Sequence, residues 1–373
     1  MKNSSKTKPI FIDLFAGAGG LSIGLERAGF QLAAATDWDH WSCETLRANH
    51  PGIPVKEGDI VNINLKEFEK EIGTREIDLI VGGPPCQGFS QLGKQEATDP
   101  RNQLWRQYLR FVEHFRPKIF VMENVPQLLT SGEYEQILEK ATKLGYVVKA
   151  EVLHAVDYGV PQKRKRAIII GSRIGTPEHP EPTHIDPAKM NLLTQNRKSW
   201  RTVREVIADL SPKPDGKNWH VGRNPTPMSL QRYKSIPAGG NRFNLPMELT
   251  PNCWKRKKTG STDVFGRLWW DKPSITIRTE FFKPEKGRYL HPKENRPITI
   301  REAARIQTFP DTYIIKGSNV QAAKQVGNAV PAELAHQIGL KLIELLKPPL
   351  KSLENKFVDR PARLQRQLAK TLS

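Results

Sequence analysis

The chain has 373 residues, of which 38% are hydrophobic, so it is long enough for two domains and apolar enough for a substantial core. Three scattered cysteines exclude a disulfide framework and a cysteine-rich zinc site, and we expect no metal. No apolar run approaches the length of a membrane span, and residues 1–8 are polar and basic, unlike a secretory leader. These features predict a soluble protein of the cytoplasm.

The formal net charge of +19 is concentrated in one half of the chain. Residues 1–180 contain 23 Lys and Arg against 22 Asp and Glu, whereas residues 181–373 contain 35 against 17. A protein that was merely basic would spread its charge, so the asymmetry predicts a polyanion-binding second half. A solvated basic face is the alternative.

Short apolar runs alternate with helical patterns through the first 170 residues, which is typical of an α/β fold. Ligands of open α/β sheets bind outside the carboxyl ends of the strands. The predicted strands cover residues 10–15, 31–36, 79–81, 119–122, 146–153 and 167–170. The predicted helices cover residues 21–28, 41–49, 104–115 and 133–144.

The composition changes near residue 173, where a proline-rich, linker-like segment begins. Residues 190–296 are rich in Arg, Lys, Asn, Pro and Trp and have weak periodicity, and helical patterns return at 301–306 and 331–346. We therefore predict a first domain over 1–180, an irregular second domain over 181–296, a return segment over 297–346 and a basic tail over 347–373.

The first predicted strand leads into a glycine-rich turn, DLFAGAGG at residues 13–20. Glycines let a backbone approach a ligand, and the helix that follows offers free N–H groups. Because Ser22 interrupts the G-x-G-x-x-G spacing, a dehydrogenase is disfavoured. Asp37 ends the second strand and suits ribose hydroxyls, and Trp38 beside it suits a purine ring. Asp59 ends the third strand and suits an adenine amino group. Either carboxylate alone could cap a helix, but together they favour a nucleoside pocket.

Residues 83–90, GPPCQGFS, directly follow a buried apolar run. Two prolines stiffen the chain before Cys86, and glycines follow it, which suits a thiol that attacks a ligand better than a small core residue. Glu123 ends the next strand, where it could donate a proton or anchor a hydrogen bond, or simply cap a helix. In QKRKR at 162–166, alternation predicts Arg164 and Arg166 on one face. A solvated basic patch would look the same.

Taken together, these segments resemble the C5-cytosine DNA methyltransferase family. The resemblance covers residues 10–173 and about 264–346. It rests on DLFAGAGG at 13–20, PPCQ at 84–87, ENV at 123–125, QKRKR at 162–166, REAAR at 301–305 and QVGNA at 325–329. It implies a doubly wound, mostly parallel Rossmann-like sheet, S-adenosylmethionine as cofactor, a smaller target-recognition domain, and a return segment whose last helix packs on the first half.

The resemblance also implies residue roles. Cys86 would add as a thiolate to C6 of a flipped cytosine, Glu123 would contact the N3 edge, and Arg166 would contact O2. Arg164 would support Arg166. The implied cofactor pocket comprises Phe15, Ala16, Gly17, Gly19, Gly20, Leu21, Asp37, Trp38, Asp59, Ile60, Pro85, Leu104, Asn328 and Ala329. The candidate DNA contacts are Gln87, Ser90, Arg223, Arg232, Arg242 and Arg256.

The expected partner is double-stranded DNA, with a cognate restriction endonuclease as a functional partner and the chain itself a monomer. Asp37 stands where the family often has glutamate, but the shorter side chain still suits a ribose. A tRNA cytosine methyltransferase is the first alternative, disfavoured by the long basic insert. A catalytically silent DNA-binding relative is the second, disfavoured because Cys86, Glu123, Arg164 and Arg166 are all present.

Overall fold

The computed structural model of this chain describes residues 8–85, 104–256 and 259–347. The strands are β1 Ile10–Leu14, β2 Gln31–Asp37, β3 Val55–Glu57, β4 Leu79–Gly82, β5 Ile119–Asn124, β6 Val147–His154, β7 Gln162–Lys163, β8 Lys165–Ser172, β9 His184–Ile185, β10 Lys198–Ser199, β11 Gly266–Arg267, β12 Ser274–Ile275 and β13 Arg288–Leu290. The helices are α1 Gly20–Ala28, α2 His40–Asn49, α3 Leu65–Ile72, α4 Leu104–Phe115, α5 Gly132–Lys143, α6 Arg204–Ile207, α7 Pro227–Lys234, α8 Asn252–Lys255, α9 Ile300–Ile306, α10 Asn319–Asn328 and α11 Ala332–Leu346.

A mostly parallel sheet forms the centre of the molecule, with the strand order β3-β2-β1-β4-β5-β8-β6. The first five of these strands are parallel to one another, and β8 runs antiparallel to both β5 and β6. The chain fills the sheet outward from β1 in one direction and from β4 in the other. The crevice between β1 and β4 is therefore the topological switch point, where doubly wound sheets bind ligands. The predicted fold class is confirmed.

Alternating side chains of the central strands supply two separate cores. Ile12, Ile80 and Phe120 face one layer, where they pack with residues of α3, α4 and α5. Phe11 and Val121 face the other layer, where they pack with α1 and α11. Because both faces are covered, the strands read as nearly continuous apolar runs, as expected for buried parallel strands.

The contact between α1 and α11 joins the start of the described chain to its end. It is unusually close, since a Cβ built on Gly24 would lie 2.4 Å from the Ala332 carbonyl oxygen and 2.4 Å from Ala335 Cβ. A Cβ on Gly339 would lie 2.6 Å from that of Ala28. These glycines allow the helices to pack backbone against backbone, which a larger residue would prevent.

Residues between β8 and α9 form an irregular unit with short strand pairs and its own small core. That core contains Tyr233, Ile236, Leu245, Phe265 and Leu290. Much of the polar interior is arginine: the guanidinium groups of Arg267 and Arg288 are buried and donate to backbone carbonyls. These cations hold loops together instead of facing solvent. Within the described ranges, no helix has the length and apolarity needed to cross a bilayer.

A buried polar network ties together four segments of the chain, around residues 162–164, 277, 307 and 326–329. Gln162 Nε2 donates to Gln307 Oε1 at 2.7 Å, and Gln162 Oε1 accepts from the Ile277 N–H at 2.8 Å. Gln307 Nε2 also donates to the carbonyls of Val326 and Ala329. Arg164, which is 2% exposed, donates to three further carbonyls, those of Ile277, Gly327 and Asn328. We call this the Gln162–Arg164 network.

We predict that Gly24→Ala destabilises the protein by about 1–3 kcal/mol, because the new methyl group overlaps backbone atoms of α11 that cannot yield without moving the helix. Gly132→Ala is the matched control, since a Cβ there meets nothing within 4 Å. Urea denaturation of both variants and the wild type measures the difference. Equal stabilities would show that α1 and α11 are not in backbone contact.

Candidate active site

The glycine-rich turn lies at the switch point, directly after β1. Its backbone is sharply bent: Phe15, Gly17 and Gly19 have φ values of 56°, 55° and 76°. Positive φ is cheap for glycine but strained for Phe15, and strained non-glycine residues concentrate at functional sites. A Cβ on Gly17 would meet nothing within 4 Å, so the backbone there borders open space. Ala16 is half-buried beside it, while Gly19, Gly20 and Leu21 are buried.

Asp37 ends β2 beside this turn, and its carboxylate is held in a fixed orientation. Oδ2 accepts from the Gly17 N–H at 2.8 Å, and Oδ1 accepts from the Asp39 N–H at 2.9 Å. Burial raises the pKa of this carboxyl, which the two N–H donors oppose. Each oxygen retains acceptor capacity, so Asp37 can bind hydroxyl groups. Next to it, Trp38 is 72% exposed, so most of its side chain is accessible to a ligand.

The other predicted pocket residues come from four separate parts of the chain. Asp59 is exposed and caps a 3-10 turn, with Oδ1 accepting from the Val61 N–H at 3.0 Å, while Ile60 is buried. The prediction that Asp59 ends a strand is wrong, because β3 stops at Glu57. The remaining predicted pocket residues differ in burial. Pro85 and Leu104 are half-buried, Asn328 is exposed and Ala329 is buried.

A carboxylate–guanidinium pair stands at the end of β5. Arg166 Nε lies 2.6 Å from Glu123 Oε1, and the two side chains are only 17% and 12% exposed. Arg166 also donates to the Lys165 carbonyl at 2.7 Å. A Cβ on Gly83 would lie 2.8 Å from Glu123 Oε2, so the absence of a side chain at Gly83 leaves room for the carboxylate. Glu123 is thereby fixed against the chain that leads out of β4.

The side chain of Asn124 connects the same two strand ends. Its Nδ2 donates to the Pro84 carbonyl at 2.8 Å, which fixes the first proline of the segment that leads towards Cys86. No role was predicted for Asn124 from the sequence, although its position beside Glu123 at the end of a strand indicated a site residue. Cys86, Gln87 and Ser90 lie outside the described residues.

Arg164 and Arg166 have different surroundings, although the sequence predicted a shared face. Arg166 pairs with Glu123, whereas the Arg164 guanidinium donates to carbonyls in the Gln162–Arg164 network. Burial lowers the pKa of Arg164, and the charge of Arg166 lowers it further, while Glu123 raises it. Arg164 therefore lies in the electrostatic field of the pair, while its guanidinium hydrogen-bonds to backbone carbonyls. Alternation alone does not predict this position.

Asp13 lies beneath the glycine-rich turn and is completely buried. Oδ2 accepts from Ser22 Oγ at 2.6 Å, whereas Oδ1 has no hydrogen-bond partner. Burial raises its pKa to about 7, and the Asp37 carboxylate contributes in the same direction against the Ser22 hydrogen bond. The motif at 13–20 contains Asp13, but no role was predicted for this residue. A single sequence does not reveal that a strand residue is buried without a full set of hydrogen-bond partners.

The four arginines predicted to contact DNA lie in the irregular unit and differ in how free they are. Arg223 and Arg256 are exposed, although Arg223 donates to the Phe282 carbonyl at 3.1 Å. Arg232 is half-buried and donates to the Leu249 carbonyl at 2.8 Å. Arg242 is half-buried over the ring of Phe243, 4.7 Å from its centroid, and donates to the Thr259 carbonyl. Arg232 and Arg242 therefore use some of their N–H donors in hydrogen bonds to backbone carbonyls of neighbouring loops.

The profile of one protein family, C-5 cytosine-specific DNA methylase, matches residues 10–344. The chain belongs to this family. It is therefore an S-adenosylmethionine-dependent enzyme that methylates cytosine at C5 in DNA. The resemblance found in the motifs is confirmed. Among the described residues, no group of three or more His, Cys, Asp or Glu side chains is arranged to hold a metal ion.

Relatives of this methylase cover most of its length. Type II methyltransferase M1.HphI of Haemophilus parahaemolyticus is 35% identical over 346 residues, 90% of this chain and 87% of the relative. Type II methyltransferase M.PspPI of Psychrobacter sp. is 37% identical over 348 residues, 90% of this chain and 79% of the relative.

Solved structures have the same fold. A prophage-encoded E. coli protein, assigned as a DNA modification methyltransferase, matches with a TM-score of 0.67 and 26% identity, over 91% of this chain and 99% of that one. S. pombe Dnmt2 matches in fold with a TM-score of 0.61 and 18% identity, over 91% of this chain and 100% of that one.

We predict that Gly83→Ala lowers methyl transfer about 10- to 100-fold with little loss of stability. The new methyl group overlaps the end of the Glu123 side chain, which can move, but only by breaking its alignment with Arg166. Gly82→Ala is the matched contrast, because a Cβ there lies 2.1 Å from the Leu14 backbone oxygen and should destabilise the sheet. Single-turnover kinetics and thermal melts measure both effects; full activity of Gly83→Ala would contradict the geometry.

We predict that Asp13→Asn gains stability relative to the wild type as pH rises. Folded Asp13 keeps its proton up to about pH 7, whereas the unfolded residue loses it near its ordinary pKa of 3.8. Wild-type stability from this group is therefore present below pH 4 and is lost between pH 4 and 7, by about 1.4 kcal/mol per pH unit. Urea denaturation at pH 5, 6, 7 and 8 measures the difference between the two proteins; parallel pH profiles would show that Asp13 is ionised throughout.

Proposed function

We propose that this methylase is a site-specific modification enzyme of a restriction–modification system, and that the switch point of its sheet is the active site. The observation that carries the proposal is the enclosed Glu123–Arg166 pair beside the proline segment that leads to Cys86. The Type II methyltransferases M1.HphI and M.PspPI, similar over about nine-tenths of this chain, support the same assignment.

In the proposed reaction, Cys86 is the nucleophile. Its thiolate adds to C6 of the cytosine ring, which makes C5 electron-rich. S-adenosylmethionine supplies the methyl group that C5 accepts. Loss of the C5 proton and expulsion of the Cys86 thiolate then restore the aromatic ring and free the enzyme. Because a free thiol has a pKa of about 8.5, the site must favour the thiolate.

Glu123 and Arg166 are proposed to hold the cytosine from its polar edge. The Glu123 carboxyl would bond the N3 edge, favouring addition at C6, and the Arg166 guanidinium would donate to O2. Their mutual contact of 2.6 Å orients both groups before the base arrives. Arg164 would act indirectly, by fixing the strand from which Arg166 projects.

The residues around the glycine-rich turn fit the adenosine part of S-adenosylmethionine. The Asp37 carboxylate is fixed by two N–H donors and retains acceptor capacity for ribose hydroxyls. Trp38 offers an exposed ring for stacking, and the exposed Asp59 carboxylate offers acceptors for an amino group. The backbone at Gly17 borders open space, which allows close approach. Phe15, Ile60, Pro85, Leu104 and Asn328 are proposed to complete the pocket.

The proposed substrate base lies inside a duplex and must be turned out of the stack to reach Cys86. The basic irregular unit would hold the distorted duplex through its phosphates, with Arg223 and Arg256 as the freer contacts and with Gln87 and Ser90 near the base. Binding should therefore weaken steeply with salt. We further propose a monomer that acts in the cytoplasm on chromosomal DNA, with a restriction endonuclease as a functional partner.

Expression of the wild type and of Cys86→Ala in a host that lacks cytosine methylation tests the proposal. Bisulfite sequencing of the plasmid should find protected cytosines within one short motif in the wild type, and at least a 100-fold lower level in Cys86→Ala. Protection by both proteins would overturn the role of Cys86. No protection by either would favour the tRNA enzyme or the silent DNA-binding relative, which mass spectrometry of host tRNA nucleosides then separates.

A further inference from the structure

A lysine of the return segment lies against the predicted cofactor pocket. Lys324, on α10, places its ammonium 5.5 Å from the centroid of the Trp38 ring and 3.3 Å from Asp39 Oδ1. The first distance is within the range of a cation–π interaction, and the second is an ion pair. One side chain therefore contacts both residues that follow Asp37.

The position of this ammonium is set by buried contacts between α10 and α2. Thr45 Oγ1, which is buried on α2, donates to Gln325 Oε1 at 2.6 Å and accepts from the Lys316 N–H at 2.9 Å. Gln325 Nε2 donates to the Lys316 carbonyl at 2.8 Å. Since Gln325 adjoins Lys324, the backbone that carries the lysine is fixed relative to the end of β2.

The same ammonium opposes a local excess of negative charge. Asp39 is already committed to α2, where Oδ2 accepts from the N–H and the hydroxyl of Ser42. Burial raises the pKa of Asp37 most and the Asp39 carboxylate raises it further, whereas Lys324 lowers it. Without Lys324, two neighbouring carboxylates would stand beside an exposed indole with no fixed cation between them.

We propose that Lys324 is a positioning residue for the adenosine part of the cofactor. The lysine holds the Trp38 ring by its cation–π contact and fixes the adjoining carboxylates. The inference rests on the proposed function, since it assumes that Trp38 and Asp37 bind adenosine. Trp38 keeps 72% of its surface exposed with the lysine in place, so the contact orients the ring without covering it. Lys324 thus connects the return segment to the predicted cofactor pocket.

Calorimetric titration with S-adenosylhomocysteine tests the inference. Lys324→Met should weaken binding about three- to tenfold, as expected for one cation–π contact and one partly exposed ion pair, and Lys324→Arg should restore most of it. Lys118→Met is the matched control, because Lys118 forms an exposed ion pair with Asp78 at the amino-terminal ends of β4 and β5, whereas Trp38 follows the carboxyl end of β2. In steady-state assays, the loss in Lys324→Met should appear in the KM for the cofactor and not in kcat.

A double-mutant cycle with Trp38→Leu separates the inference from the function on which it rests. If Lys324 acts through Trp38, adding Lys324→Met to Trp38→Leu should weaken binding less than it does in the wild type. Equal effects in the two backgrounds, or wild-type affinity of Lys324→Met, would overturn the role of Lys324 and leave the pocket intact. Wild-type affinity of Trp38→Leu would instead show that the pocket is misplaced, which is a failure of the proposed function.

Discussion

The Gln162–Arg164 network is the constraint on which the rest of the molecule depends. It buries amide and guanidinium groups whose acceptors are the Ile277 carbonyl just beyond β12, the Gln307 side chain at the end of α9 and the Gly327 carbonyl near the end of α10. A buried donor left without its acceptor costs about 1–3 kcal/mol, so these segments cannot separate one at a time. The network thereby fixes the position of the irregular unit and α10 relative to the end of β5 and the start of β8, where Glu123 and Arg166 lie. The central sheet and the irregular unit therefore share one buried junction.

The formal net charge of +19 does not show that some arginines of this enzyme are buried in its interior and are not available to bind a ligand. Arg267, Arg288, Arg296 and Arg301 all count toward the basic half, yet each is buried. Their guanidinium groups satisfy carbonyls and carboxylates in a unit that has little regular secondary structure, for example in the bidentate contact of Arg296 with Glu302. The surface available to phosphates is therefore smaller than the net charge suggests, and it consists of the exposed residues.

Local sequence patterns predicted the local features of this fold well. The long-range packing of the last helix on the first half, which is confirmed, was implied by the family resemblance and not by those patterns. The helix over 104–115 and the glycine turn at the switch point followed from periodicity and turn chemistry, which act over a few residues. The helices α3 and α10 were not predicted. The different surroundings of Arg164 and Arg166 were not predicted either, because the acceptors of Arg164 lie more than a hundred residues away. Such partners are visible only in three dimensions.

The backbone contact between α1 and α11 has a consequence for synthesis on the ribosome. Leu21 and Leu25 of α1 are buried by residues such as Leu334 and Ile338, which are translated some three hundred positions later. One face of the sheet must therefore stay uncovered in the nascent chain until nearly the whole protein has emerged. A chain that ends before α11 cannot build this layer, so a truncated product would keep Leu21 and Leu25 without their partners from α11.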